Sequence, residues 1–416
     1  MLLSTDSRSG PPCAPTAAAM KILWIDPINS DPQFLNALAL ALAKEGHQVI
    51  VRSNRRRGYD PPRNISWSDF TFARTLPQSL ENKRAWRLAI AATYLADWAR
   101  AIRIAGSCGV HSVLISTNLA LPRIDAWAMR RLRDSRILPV VIVHKPYRDF
   151  FQHSNESHSN RYRNFYNRVS RILVMTKYTR TILKQLYGLP ESRFAIFPHP
   201  HFSDLLSDVP VSLPLRNSLE GWAGSHPVLS FFSNHSAEHG LETLLAALPL
   251  IRSLVSDMRI LFVSPLGNRA ITATIERKID EAGCRGNCLF RWTSYSYSEL
   301  LAYLGITTAV VIPYDHATQS GVIALAAGFG IPVVATTVGG LPEMVLPNET
   351  GELIPPRDPR ALAEAVARVV ATETQSVYRT RTREFARTFL APSRAAAIVS
   401  ESLREAGARA LRGDSR

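Results

Sequence analysis

The chain has 416 residues, too many for one ordinary domain and about right for two of roughly 200 each. Its 46% hydrophobic and 20% charged residues describe a globular chain able to bury two cores, with no coiled-coil heptad, collagen period or solenoid repeat. A net charge of +15 points to a polyanion, an anionic membrane or an anionic small molecule as partner.

Residues 1–19 carry Ser, Gly, Pro and Ala without the apolar centre of a signal peptide, so a flexible leader is expected, with Met20 as an alternative start. Lys21 to Asp26 reads as a short buried strand, Gln33 to Lys44 as a helix ended by Gly46, and His47 to Arg52 as the next strand. Such a unit implies a parallel sheet with a right-handed crossover. The apolar run Leu88 to Ala96 is too short for a membrane span and is followed by Asp97. A soluble or peripheral chain in the cytoplasm, at the inner face of the membrane if peripheral, is the expectation. Strands follow at Val110 to Ser116, Ile137 to Val143, Ile172 to Met175 and Phe194 to Phe197, with helices at Ile124 to Arg133 and Tyr178 to Tyr187. Asp204 to Trp222 has Pro, Ser and little periodicity and reads as a linker.

The second half repeats the pattern. Strands are predicted at Val228 to Phe232, Arg259 to Val263, Cys288 to Arg291, Thr308 to Ile312 and Pro332 to Ala335. Helices are predicted at Gly240 to Leu254, Ala270 to Ala282, Ser298 to Leu304, Gly321 to Gly328 and Pro359 to Ala371. The domain plan is a leader (1–19), a first α/β domain (20–205), a linker (206–224), a second α/β domain (225–375) and an Arg-rich helical tail (376–416). Ligands of open α/β sheets bind beyond the strands' carboxyl ends, which places a cleft between the domains. Cys13, Cys108, Cys284 and Cys288 are too few and scattered for a disulfide framework or a zinc site.

The most specific stretch is Val310 to Glu343, VVIPYDHATQSGVIALAAGFGIPVVATTVGGLPE. A buried strand ends at Pro313, and the loop Ala317-Thr318-Gln319-Ser320-Gly321 opens a helix. That helix start has unpaired N–H groups and a positive dipole end, so it is an anion site. Gly321 lets a phosphate approach the backbone, while Thr318, Gln319 and Ser320 cap the helix or bind ligand hydroxyls. The Gly339-Gly340 turn re-enters the cleft, with Glu343 on the following helix.

This stretch resembles the donor-site signature of the retaining glycosyltransferases of family 4, in the subset with Ala-Thr-Gln-Ser-Gly before the helix and Gly-Gly-Leu-Pro-Glu after it. The resemblance extends over roughly Met20 to Ala371. It implies the GT-B fold, two Rossmann-like α/β domains with parallel sheets facing a central cleft. It also implies a nucleotide-sugar donor, no metal or other cofactor, and transfer with retention. The diphosphate is expected at Gln319 to Val322, with Asn234 and His239 across from it. Trp292 and Thr293 are placed to hold the base, and Gly340 belongs to the same site. Asp315 and Glu343 are the candidates for donor hydroxyls, and His144, at a strand end on the cleft edge, faces the reacting centre. The departures are equally specific. Asn234 and His239 stand where the family places Arg and Lys, and Ala317 and Leu325 where it places paired glutamates, with Asp315 or His316 as the replacement for the first.

Other residues keep two readings. Asp31, after the first strand, reads as an N-cap, and the resemblance implies an acceptor-holding loop around it. His199, before Pro200, reads as a turn residue. The basic clusters Arg55 to Arg57 and Arg130 to Arg136, with Arg148, Arg161, Arg163 and Arg168 interleaved with aromatics, suit either a solvated face or an anionic membrane carrying a lipid-linked acceptor. No RNP, KH or helix-turn-helix signature supports nucleic acid. The function expected is transfer of a hexose to a lipid-linked or saccharide acceptor in bacterial cell-surface polysaccharide synthesis. A nucleotide-sugar epimerase and a catalytically silent scaffold remain as alternatives.

Overall fold

The computed structural model describes residues 19–27, 31–54, 62, 65–69, 83–117, 121–146, 162–233, 237–264 and 269–412. The first sheet holds β1 (Lys21–Asp26), β2 (Gln48–Ser53), β3 (Ser66–Asp69), β4 (Ser112–Thr117), β5 (Leu138–Val143), β6 (Arg171–Val174) and β7 (Phe194–Ile196), in the order β3-β2-β1-β4-β5-β6-β7. Its helices are α1 (Pro32–Lys44), α2 (Lys83–Ser107), α3 (Pro122–Asp134), α4 (162–166) and α5 (Lys177–Tyr187). The second sheet holds β8 (Val228–Phe232), β9 (Arg259–Ser264), β10 (Cys288–Trp292), β11 (Ala309–Ile312), β12 (Val333–Thr336) and β13 (Gly351–Ile354), in the order β10-β9-β8-β11-β12-β13. Its helices are α8 (Leu241–Leu254), α9 (Arg269–Glu281), α10 (Tyr297–Ile306), α11 (Gly321–Gly328) and α12 (Pro359–Val370).

Every strand pairing is parallel. A parallel sheet needs cover on both faces, and the sequence supplies it: Leu138 to Val143 is buried at every position. Neighbours along β1 divide between two cores, Ile22 and Trp24 on one face and Leu23 and Ile25 on the other. Helix starts are fixed by local chemistry. Asp31, Thr176, Ser320 and Asp358 each accept a backbone N–H in the first turn, and Ser296 with Glu299 forms a capping box. The strand order reverses between β1 and β4 and again between β8 and β11, which sets a crevice at the carboxyl end of each sheet.

The structure departs from the sequence reading in four places. A 25-residue helix, α2, surrounds the apolar run Leu88 to Ala96, with Tyr94, Trp98, Ala101 and Ala105 buried against the first sheet. Edge strands β3 and β13 are short and were not predicted. The segment read as a linker contains α6 (Ser203–Leu206) and α7 (Leu213–Ala223), with Pro214 in the first turn of α7. Helix α7 packs on α10 of the second domain, where the Ser212 N–H donates to the carbonyl of Ser298 (3.1 Å). The helical tail is two helices, α13 (Thr372–Thr388) and α14 (Pro392–Leu411). Only α13 stays with the second domain, on α11 and α12. Helix α14 returns to the first domain and packs on α1, β4 and β5. There the Ser112 hydroxyl donates to the carbonyl of Leu403 (2.8 Å) and His47 pairs with Ser400 (3.0 Å). One apolar core accordingly runs through both domains, from Trp24 and Phe34 to Ile323 and Val399.

Candidate active site

On the second-domain side, β11 delivers the chain to Pro313 and the loop to α11. Ser320 caps that helix, its hydroxyl oxygen accepting from the Ile323 N–H (3.3 Å). Burial pushes the Tyr314 hydroxyl up to about 12, with the Ser320 hydroxyl opposing the shift. The His239 ring stacks on Tyr314 (4.4 Å between centroids, 16° between planes), and its Nδ1 meets the Ser233 hydroxyl (3.0 Å). Two close approaches demand glycine. A Cβ on Gly240 (φ +63°) would lie 1.7 Å from the Pro313 carbonyl oxygen. One on Gly339 (φ +54°) would lie 1.7 Å from the oxygen of Ala317.

On the first-domain side, His144 follows β5, Asp31 caps α1, and His199 follows β7 in the crossing to the second domain. The Phe34 ring meets both imidazoles edge-on, His144 at 4.6 Å and His199 at 5.2 Å between centroids. Both histidines are buried. Burial lowers the His144 pKa to about 4, the Asp31 carboxylate opposing the shift and His199 adding to it. Burial lowers His199 as well, against Asp31 and its bond to the Pro200 carbonyl. Asp31 is the predicted N-cap: its Oδ1 accepts from the Phe34 N–H (3.0 Å).

The two sides are joined directly. Thr318 donates its hydroxyl hydrogen to the His144 carbonyl (2.7 Å), and the Thr318 carbonyl accepts from Thr176 (3.0 Å). The two Glu343 oxygens accept the N–H groups of Lys177 (2.7 Å) and Tyr178 (2.8 Å), capping α5 from the opposite domain. Lys145 Nζ lies 3.4 Å from the Glu238 carboxylate.

These bonds bear on the residues singled out in the sequence. Thr318 and Glu343 are engaged in holding the domains together in this structure, and Glu343 sits on a single 3-10 turn, not a helix. Asp315 pairs with Arg357 (3.2 Å), and its buried Oδ1 has no partner among the described residues. Gln319 likewise keeps a buried, unpartnered Oε1 among the described residues. Gly321 and Val322 open α11, and Gly340 packs on Thr318 and Thr176. Trp292 stands at the end of edge strand β10, its indole N–H on Glu276 (2.8 Å), with Thr293 exposed beside it. Asn234, Arg148 and Arg161 lie outside the described residues. Arg163 bonds the Leu186 carbonyl, away from the cleft contacts. Arg168 lines a groove of about 390 Å³ with Arg123, Trp127, Arg130 and Asn164. Sequence reasoning passed over Lys145 and Arg357 and read His199 as a turn residue. The one available signal for His199 was its place between Pro198 and Pro200, shortly after β7.

Two family models match the chain in series, Glycosyltransferase Family 4 over residues 33–200 and Glycosyl transferases group 1 over residues 226–372. The chain has the two-domain GT-B fold, and each domain matches a glycosyltransferase family model. The solved structure of Anabaena HepE in complex with UDP and glucose superposes with a TM-score of 0.70 at 16% identity, covering 93% of this chain and 100% of that one. Among curated proteins, the glycogen synthase of Mycobacterium tuberculosis is 43% identical over 75 residues, 18% of each chain. The GDP-mannose-dependent alpha-(1-6)-phosphatidylinositol monomannoside mannosyltransferase of Mycolicibacterium smegmatis is 25% identical over 207 residues, 48% of this chain and 53% of that protein. The chain therefore matches between 18% and 53% of the length of these curated relatives. Among the described residues no helix of this GT-B chain is long and apolar enough to cross a membrane.

Proposed function

We propose that this protein transfers a hexosyl group from a nucleotide-sugar donor to a hydroxyl acceptor, with retention and without a metal ion. The observation that carries the reading is the start of α11: a Ser320-capped helix N-terminus at the carboxyl end of β11, facing His144 across the cleft. A helix start in that position favours a diphosphate. The donor would extend from Gln319 to Val322 towards Trp292, with His239 and Asn234 beside the diphosphate. Arg357 and Lys145, the cations on the Asp315–Glu238 rim, would take over the charge that the family draws from Arg and Lys. Reaction then requires mainly positioning and stabilisation of the departing diphosphate, on which negative charge accumulates. Glucose and mannose donors are the natural first choices, since the relatives' names carry UDP with glucose and GDP-mannose.

A lipid-linked acceptor at the cytoplasmic face of the membrane, within cell-surface polysaccharide synthesis, agrees with the basic groove that holds Arg123, Trp127, Arg130 and Arg168. Each such cation contributes about 1 kcal/mol against anionic lipid. Calorimetry with UDP, GDP and ADP, free and as sugar conjugates, tests the donor site. Tight binding of one base, lost on replacing Ser320 with a bulky residue, is the expected result. Absence of all binding would sink the transferase reading and favour a silent scaffold. Formation of a product only in the presence of an acceptor separates transfer from epimerisation.

A further inference from the structure

The cleft contains a buried polar arrangement that the donor reading does not use. His199 is 1% exposed, and its Nδ1 lies 3.0 Å from the carbonyl oxygen of Pro200. A carbonyl only accepts, so in the neutral ring Nδ1 carries the hydrogen and Nε2 the lone pair. That Nε2 is buried without a partner among the described residues. It is aimed at the start of α11. A Cβ built on Gly321 would lie 3.6 Å from His199 Nε2 and 3.7 Å from Asp31 Oδ2. Both are ordinary contact distances, so the absence of a side chain at position 321 leaves a cradle the size of one heavy atom, walled by a lone pair and a carboxylate. Burying an acceptor without a hydrogen bond costs about 1–3 kcal/mol, so such an atom needs a partner in the working state.

The walls select the occupant. A phosphate oxygen would meet a lone pair and a negative charge, whereas a hydroxyl brings the hydrogen that both walls accept. We propose that the Gly321 cradle receives a sugar hydroxyl, which donates its hydrogen to His199 Nε2 beside Asp31. The proposal rests on the sugar-transfer reading and assigns within it a residue that otherwise passes for a turn. The hydroxyl belongs either to the transferred sugar or to the acceptor.

UDP-glucose, GDP-mannose and the bare nucleotides serve as probes, with binding and acceptor-free donor hydrolysis both measured. The variants are His199→Phe, which keeps a ring and loses the lone pair, His199→Gln, whose Oε1 reaches near the place of Nε2, and Gly321→Ala, which fills the cradle. If the transferred sugar supplies the hydroxyl, the ratio of nucleotide-sugar to bare-nucleotide affinity falls tenfold or more in the Phe and Ala variants and recovers in the Gln variant. If the acceptor oxygen occupies the cradle, that ratio holds and hydrolysis, in which water stands in for the acceptor, falls tenfold or more. A ratio and a hydrolysis rate both within twofold of wild type overturn the proposal, as does an equal loss for sugar-bearing and bare nucleotides. A wild-type chain that binds neither nucleotide sugar fails the sugar-transfer reading itself, and the proposal with it. Should His199→Phe not fold, Gly321→Ala decides alone, since its added Cβ makes only ordinary contacts.

Discussion

The two rims of the cleft are made of different material. At its centre the second-domain rim is backbone, a capped helix start and glycines so tightly packed that a Cβ would overlap a carbonyl, with His239 and Asp315 beside it. The first-domain rim is ionisable side chain: Asp31, His144 and His199 around the Phe34 ring. Peptide dipoles do not titrate, so the first material can hold an anion at any pH. Buried imidazoles answer to protons and hydroxyls. The same cleft thus divides its labour between a fixed field and a chemically responsive wall.

The division can be broken most severely on the backbone side. Gly240→Ala forces a Cβ onto the Pro313 carbonyl at a positive φ. It should cost roughly 3 kcal/mol or more, seen as a lower denaturation midpoint, whereas Gly321→Ala should stay within about 1 kcal/mol. Equal losses in the two would mean that the loop yields and that glycine geometry does not define this rim.

On the other rim the corresponding lever is pH. His144 is held neutral in the native state with a pKa near 4, against 6.5 unfolded. The unfolded chain therefore binds more protons between those values. The contribution of His144 to stability is full above about pH 6.5 and falls by about 3 kcal/mol as the pH drops towards 4. Unfolding curves across that window test this, and His144→Gln should flatten the dependence.

Between the rims, Glu343→Ala removes the carboxylate that caps α5 from the opposite domain. A loss of about 1–2 kcal/mol is expected, with a larger radius of gyration in solution scattering as the cleft opens. Unchanged scattering would show that the other cross-cleft bonds suffice. Smallest of all, the double change Arg123→Ala and Arg130→Ala should alter stability by less than about 0.5 kcal/mol. It should nonetheless weaken sedimentation with phosphatidylserine vesicles, and intact vesicle binding would remove the membrane from the acceptor reading.

The same contrast explains what was legible beforehand. The loop from Pro313 to Gly321 and the turn at Gly339 and Gly340 could be read because glycines and caps act on their own neighbours, and the boundaries of α11 fell where the sequence placed them. Asp31, His144 and His199 meet only in the folded chain, on α1, β5 and the crossing after β7, so no local pattern brings them together. Pro214 made a helix look like a linker, since its ring breaks a helix interior but not a first turn. The tail could be read as helical and Arg-rich, but nothing local to it says against which domain α14 packs.

That return of α14 has a mechanical consequence. The main chain passes between the domains twice, near His201 and near Leu390, and the His201 N–H donates to the Leu390 carbonyl (3.0 Å). The two passages are thus held side by side, so any change in the angle between the domains has to be absorbed next to this hydrogen bond.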